Sequence, residues 1–509
     1  MTSAASFRPH GRVADRAAVL AIACSALAAL AALPACGDSE ETVPDEILPS
    51  SEYAARCVNP RKGVDPTTNQ AFRDVSGSAL DEKLWLRSWI DDLYLWYSEV
   101  PKSDPTKFTT PLLYFNALRT SAKTPSGKDK DQFHFAIDTA DWISQSQGGT
   151  EAGYGLQWAL LASVPPRSLR IAYVNPGSPA ATAGLERGAT VISIDGVAVL
   201  DGNPAPLNAG LFPDNIGEQH TFVVRDRGAS TTHSVVLTSA TVNLVPVQGV
   251  HTLPAPNDHV GYMLFTDHIA TAEKGLFDAI TTLRTAGITD LILDLRYNTG
   301  GYLEIASQLA YEIAGPTRTT GKTFEQLTFN DKHTTDPQSG KPIPPDPFVN
   351  ITDGFSLDRG MPLPYLGLSR VFVLTSESTC SASESVMNSL SGIDVEIIQI
   401  GETTCGKPYG FLPADNCGTT YFAIQFKGVN NKGFGDYADG FVPGKLLHGC
   451  NNVPDDFDHA LGDPAEGRVA TALSYLANGA CPVAAAPRER PVRPVIPKPA
   501  WRQNRILRR

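Results

Sequence analysis

The chain has no Cys-x-x-Cys pair, no excess of positive charge and no apolar run comfortably long enough to span a bilayer. Without paired cysteines at ligand spacing, its eight Cys do not describe a zinc site, and no metal is expected. A formal net charge of −12 argues against nucleic acid as a partner, because such binding wants a basic footprint. The longest apolar run, from Ala17 to Leu33, is marginal for a hydrocarbon core roughly 30 Å thick. What is present is ordinary for a globular protein: 42% hydrophobic and 19% charged residues, enough to bury large cores. At 509 residues the chain exceeds one ordinary domain.

Arg8, Arg12 and Arg16 precede the apolar run, which closes on Leu33-Pro34-Ala35-Cys36. A positive n-region, a short h-region and small residues before a cleavage point make residues 1–35 a secretory signal. The Leu-x-Ala-Cys ending resembles the bacterial lipobox. That resemblance implies lipidation of Cys36 and a membrane anchor in the cell envelope, facing the periplasm. Asp38 stands two places after Cys36 rather than beside it, so the retention signal for the inner membrane is absent and the outer membrane is expected. Export leaves Cys57, Cys380, Cys405, Cys417, Cys450 and Cys481 in an oxidising compartment. Six thiols there form up to three disulfides, with about fifteen possible pairings. The expected set is Cys380–Cys405, Cys417–Cys450 and Cys57–Cys481.

Residues 36–78 are polar and rich in Pro, Ser, Asp and Glu, as a tether would be. Trp85, Trp89, Leu93 and Trp96 then recur at helical spacing, and 79–149 reads as a small helical domain whose aromatic stripe is core. Within 150–245, Gly153-Tyr-Gly-Leu156 is followed by strand-like Leu169–Val174, by Gly177-Ser-Pro-Ala-Ala-Thr-Ala-Gly-Leu185 and by a strand ending at Asp195-Gly196. From 246 to 481 strands alternate with helices, which gives an α/β core. Asp290-Leu-Ile-Leu-Asp-Leu295 is a short apolar run of the kind buried on both faces. A connection over 315–368, rich in Pro and Gly, is too long to be a mere link. The end of the chain, 482–509, is Pro/Arg-rich and reads as a disordered basic tail.

Three patches in the α/β part carry chemistry. Thr379-Cys-Ser-Ala-Ser-Glu384 sits where a strand gives way to a helix, so the hydroxyl of Ser381 meets free amides and a favourable dipole. Gly401-Glu-Thr-Thr-Cys-Gly-Lys407 follows the next strand. Asp294-Leu-Arg-Tyr-Asn-Thr-Gly-Gly301 ends in two glycines whose amides can approach a reacting atom closely. A serine needs a base to take its proton, and a buried lysine in its neutral form can serve. Each patch also has a plain structural reading. Ser381-x-x-Glu384 is a helix capping box, Gly406-Lys407 a turn with a solvated lysine, and Gly300-Gly301 a strand end.

Taken in order, these patches resemble peptidase family S41, the C-terminal processing (tail-specific) peptidases. In that family a PDZ domain precedes D-L-R-x-N-x-G-G, then S-A-S-A-S-E, then G-x-x-T-x-G-K. The resemblance implies an α/β catalytic core related to the crotonase/ClpP ββα-superhelix, with an inserted PDZ domain and an N-terminal helical domain. It implies a serine endopeptidase with Ser381 as nucleophile and Lys407 as base, an oxyanion hole from Ala382 with Gly300 or Gly301, and no cofactor. The PDZ-like loop at Tyr154, Gly155 and Leu156 is expected to hold the C-terminal carboxylate of a polypeptide partner. An adaptor is not identified by the residues. Two departures matter. Phe411 stands where many members carry a Gln four places after the Lys, and Ala189 stands where Asp is usual. The alternatives are a base at His268, as in a Ser–His branch of the same superfamily, or an inactive lipoprotein that binds protein tails. Cys380 and Cys405 flank the two catalytic candidates, so a bond between them would make activity sensitive to reduction.

Overall fold

The computed structural model describes residues 43–66, 68–335, 341–482, 495–496 and 505–507. The expected signal over 1–35, the lipidation site Cys36 and most of the 482–509 tail lie outside the described residues.

The tether expected over 36–78 is not one where it is described. Arg56–Cys57 pairs in parallel with Val75–Ser76, Val64–Asp65 pairs antiparallel with Gln70–Ala71, and Cys57 is bonded to Cys417. Arg61 also reaches Asp74 at 2.8 Å and Asp415 at 2.7 Å. The segment is polar because it lies on the surface, and the disulfide prevents it from acting as a free spacer.

Helix α1 (Ala79–Leu93) opens with a reciprocal cap between Ser78 and Asp81. Trp85 and Trp89, four residues apart, stack at 5.5 Å on its buried face. The helix stops at Leu93, so Trp96 is not on that stripe; it packs edge-on against Tyr409 instead. Strand β1 (Phe135–Asp138) pairs with Thr419–Phe422, far along the chain. The helical segment 79–149 therefore packs into a core shared with later parts of the chain. Trp85, Trp89 and Phe115 share one core with Tyr421, Phe422 and Phe426.

The PDZ-like segment is an antiparallel sheet. Strands β2 (Leu156–Ala162) and β3 (Ser168–Val174) are followed by Thr190–Ile194, Gln219–Arg225 and His233–Thr238, with β2 at one edge. Trp158, Ile171, Val191 and Phe222 form its own core, and helix α2 (Pro204–Leu211) lies beside Thr190–Ile194.

From residue 247 the chain runs through β4 (Val247–Thr252), β5 (Val260–Phe265), α3 (Ala272–Ala286), β6 (Asp290–Asp294), β7 (Gly300–Tyr302) and α4 (Leu303–Ala314). It continues through β8 (Arg370–Thr375), α5 (Ala382–Gly392), β9 (Glu396–Gly401), β10 (His448–Asn451) and α6 (Gly467–Asn478). Six of these strands form the central sheet in the order β4-β5-β6-β8-β9-β10, parallel except for β4. Side chains alternate across it as the pleat requires. Leu291, Leu293, Val371, Val373 and Ile397 face α3, α4 and α5. Ile292, Phe372, Leu374, Ile398 and Ile400 face α6 and the β3 residues Ala172 and Tyr173, so the PDZ-like sheet packs on the second face. The long 315–368 connection includes Thr323–Phe329, which pairs antiparallel with Phe426–Val429.

Among the described residues the disulfides are Cys57–Cys417, Cys380–Cys405 and Cys450–Cys481. The expected Cys417–Cys450 and Cys57–Cys481 pairs are therefore replaced. Cys450 lies on β10 next to the chain leaving α6, and Cys57 on a short strand against the Thr419–Phe422 hairpin. Those proximities are tertiary, and the spacing of cysteines along the chain carries no record of them.

Candidate active site

Parallel strands with aligned register deliver the three motifs to one place. Asp294 on β6 is level with Leu374 on β8, and Leu374 with Ile400 on β9. The loops that leave these three C-terminal ends are the motif segments 294–301, 376–384 and 401–407. They are laced together by backbone and hydroxyl bonds. Cys380 N–H donates to the Asn298 carbonyl at 3.1 Å, Cys405 N–H to the Thr379 carbonyl at 3.0 Å, and the Thr379 hydroxyl to the Leu295 carbonyl at 2.8 Å.

Ser381 is the residue just before α5. Its backbone sits at φ 66° and ψ −120°, a left-handed conformation that a side chain rarely adopts. Its Oγ is buried with no hydrogen-bond partner among the described residues. The capping box is present only through the glutamate: Glu384 accepts the Ser381 N–H at 2.9 Å. The same carboxylate accepts the Gly406 N–H at 2.9 Å, the Lys407 N–H at 2.8 Å and the Thr404 hydroxyl. One buried side chain thus ties the Ser381 segment to the Lys407 segment. Burial pushes the Glu384 carboxyl above its ordinary value, and these hydrogen bonds oppose that rise. The Cys380–Cys405 disulfide ties the same two segments a second time.

Lys407 is fully buried rather than a solvated turn residue. Its Nζ lies 3.9 Å from the centre of the Phe411 ring and 4.9 Å from that of Phe133. Phe411 therefore borders the amine at the place where the family resemblance expects Gln. Phe133, from the helical segment, was not legible as a site residue, because only the fold brings it there.

Ala382 is the first residue of α5 and is buried. Gly300 donates its N–H to the Asn298 side chain at 2.9 Å, so its amide is already engaged. Gly301 has φ +145°, and a Cβ there would lie 2.4 Å from the His268 carbonyl oxygen. Glycine is needed because β7 runs hard against the His268 backbone: His268 N–H donates to the Gly300 carbonyl at 3.2 Å and Tyr302 N–H to the His268 carbonyl at 2.8 Å. His268 is thus part of the site's wall. Its Nδ1 is 3.0 Å from Asn298 Oδ1, which can only accept, so Nδ1 carries the proton. Nε2 has no hydrogen-bond partner among the described residues, and burial lowers the imidazole from 6.5 to about 3.

Beneath the motifs lies a buried charge cluster. Arg296 bonds Asp294 at 2.9 Å, Asp455 at 2.7 Å and Glu466 at 2.7 Å. Arg187, from the PDZ-like segment, bonds Asp455 at 2.6 Å and the Tyr297 hydroxyl at 2.6 Å. Burial pushes the Asp455 carboxyl up, but Arg187, Arg296 and Arg468 outweigh it and hold it well below the carboxylate range. The Arg of the D-L-R motif is thus an anchor under the glycine turn.

The PDZ-like loop borders a second candidate site. Tyr154, Gly155, Leu156 and Trp158 border a cavity of about 390 Å³ between β2 and the end of α2, together with Asp141, Glu151 and Asp214. Gly155 has φ +72°, and a Cβ there would meet Ser178 Cβ at 2.3 Å.

Comparison with known proteins fits this arrangement. Residues 81–133 match the peptidase S41 N-terminal domain, 170–205 a PDZ domain and 259–412 peptidase family S41. A carboxyl-terminal-processing protease of Picosynechococcus sp. is 29% identical over 171 residues, which is 33% of this chain and 40% of that protein. One of Synechocystis sp. is 29% identical over 168 residues, 32% of this chain and 37% of that protein. The matched part thus spans about two fifths of these relatives. A candidate S41 protease from Bacteroides fragilis shares the fold, with a TM-score of 0.59 at 23% identity, over 78% of this chain and 97% of that one. Residues 259–412 are thus a peptidase family S41 domain, preceded by a match to that family's N-terminal domain and by a PDZ domain.

Proposed function

We propose that the chain is an exported serine endopeptidase that hydrolyses peptide bonds of other exported proteins, with Ser381 as nucleophile and Lys407 as general base. The observation that carries this reading is the strained, buried Ser381, its hydroxyl without a hydrogen-bond partner among the described residues, joined through Glu384 to the segment of a fully buried Lys407. Ser381 Oγ attacks the substrate carbonyl as its proton passes to Lys407 Nζ. The amides of Ala382 and Gly301 stabilise the oxyanion, a contribution of about a hundredfold or more per donor. Gly300 supports the turn instead, since its amide is taken by Asn298. Lys407 then protonates the leaving amine, and water hydrolyses the acyl-enzyme ester. The PDZ cavity at Tyr154, Gly155 and Leu156 holds polypeptide C-termini.

A second reading, a Ser–His pair with His268, is favoured by one feature: a neutral imidazole in the wall of the site with its Nε2 lone pair unused among the described residues. Cleavage of an unfolded protein by wild type and by Ser381→Ala, Lys407→Ala and His268→Ala separates the cases. Loss in Ser381→Ala and Lys407→Ala with activity kept in His268→Ala supports the dyad. The converse pattern supports histidine. No cleavage by any form, with peptide binding intact, makes the chain a tail-binding lipoprotein.

Three disulfides support an oxidising compartment. No helix of the described residues is long and apolar enough to cross a membrane. Anchoring through a lipid on Cys36 is tested by labelling cells with a fatty-acid probe, which Cys36→Ala must abolish.

A further inference from the structure

The basic end of the chain returns to the site. Strand β11 (Arg505–Leu507) pairs in parallel with β7, Gly300 opposite Arg505, Gly301 opposite Ile506 and Tyr302 opposite Leu507. The other edge of β7 is taken by His268, which uses the Gly300 carbonyl and the Tyr302 N–H. Peptide groups alternate sides along a strand. The Gly301 N–H, proposed above for the oxyanion, therefore faces the edge that β11 occupies. Upstream, Val495 forms a two-way backbone bridge to Leu160 on β2, with N···O distances of 2.9 and 2.8 Å. β2 is an edge of the PDZ sheet and borders the peptide cavity. The same tail thus pairs with both strands that a polypeptide substrate would use.

Charge agrees with this placement. Residues 482–509 hold eight Lys or Arg and one Glu, so the remainder of the chain carries −19 where the whole carries −12. The cavity beside β2 is bordered by Asp141, Glu151 and Asp214. The ten residues from Val495 to Arg505 span up to about 33 Å when extended, and Cys450–Cys481 fixes the point from which the tail departs.

We propose that the C-terminal tail is a tethered occupant of the substrate path: it adds as a strand to β7, covers the Gly301 amide and must leave before an external polypeptide can bind. This rests on the reading of the site as a peptidase, but its test does not require catalysis. Amide hydrogen exchange is measured on Ser381→Ala protein, full length and ending at Pro482, so that Cys481 is kept. Exchange in the segment 299–303 is expected to be at least tenfold faster in the shortened protein, and a synthetic 495–509 peptide added in trans is expected to slow it again. Ile506→Pro/Leu507→Pro in the full chain removes ladder donors without shortening the protein and must give the same acceleration. That variant stands in for the truncation if the shortened chain does not fold. Equal exchange in full-length and altered-tail proteins overturns the proposal. With Ser381 restored, loss of the tail is expected to raise cleavage of an unfolded protein at least tenfold. Faster exchange with no cleavage by any form leaves the tail's position standing and sinks the peptidase reading instead.

Discussion

Two clamps hold the Ser381 and Lys407 segments together, and removing them one at a time and then together is the most informative perturbation. The Cys380–Cys405 disulfide closes a separation of 25 residues. By chain entropy such a closure stabilises the fold by about 3.5 kcal/mol at 25 °C. Cys380→Ala/Cys405→Ala is therefore expected to lose about 2–4 kcal/mol. Glu384→Gln keeps the shape of the second clamp and one acceptor oxygen. Four donors now share two oxygens, so the amide nitrogen must face one of the buried N–H groups, at a cost of roughly 1–3 kcal/mol. Because either clamp alone can fix the same relative position, the triple variant should lose about 0.5–3 kcal/mol more than the sum of the two separate losses. The assay is urea unfolding under non-reducing conditions, with peptide hydrolysis followed in parallel. Hydrolysis should survive either single loss and collapse in the triple variant while it is still folded. Energies that add within about 0.5 kcal/mol, with activity following stability alone, would refute the shared-clamp argument.

Further outcomes follow from the same geometry. His268 is held at about 3 against 6.5 in the unfolded chain, so the unfolded state binds a proton between those values and the folded state does not. Stability from this group is complete above pH about 6.5 and falls by about 1.4 kcal/mol per unit below it. His268→Asn should therefore narrow its stability deficit against wild type by about 2–3 kcal/mol between pH 7 and pH 4.5; a constant deficit in denaturant titrations at both pH values would count against the buried neutral imidazole. Asp455→Ala leaves Arg187 without its buried carboxylate and should cost about 3–5 kcal/mol in urea unfolding. Gly155→Ala forces a Cβ into Ser178 at a left-handed backbone position, and peptide titration should show loss of C-terminal peptide binding with the S41 core still folded.

The order of motifs, the α/β alternation and the glycines of the turns were legible because each depends on neighbours in sequence. The Asp290–Leu295 run demands burial on both faces whatever surrounds it, and Ser381 followed by Glu384 sets up the glutamate half of a cap locally. The limits of local reading are equally specific. The stripe of tryptophans overran the end of α1 because Trp96 is also apolar, whereas the helix ends at Leu93 and Trp96 packs against Tyr409. Cysteine spacing located one disulfide within a single motif pair and misassigned two that join distant segments.

Tertiary structure alone decided which groups share the site. Glu384 changes from a helix cap to a bridge because β8 and β9 lie side by side in register, which sets the Lys407 amide beside the carboxylate. Phe133 and His268 enter the wall from elements that carry no motif. The tail from 482, polar and basic by composition, meets β2 and β7 only because both strands present an open edge. Sequence determines what each segment can form with itself; which unsatisfied edges and buried donors it will meet depends on long-range packing.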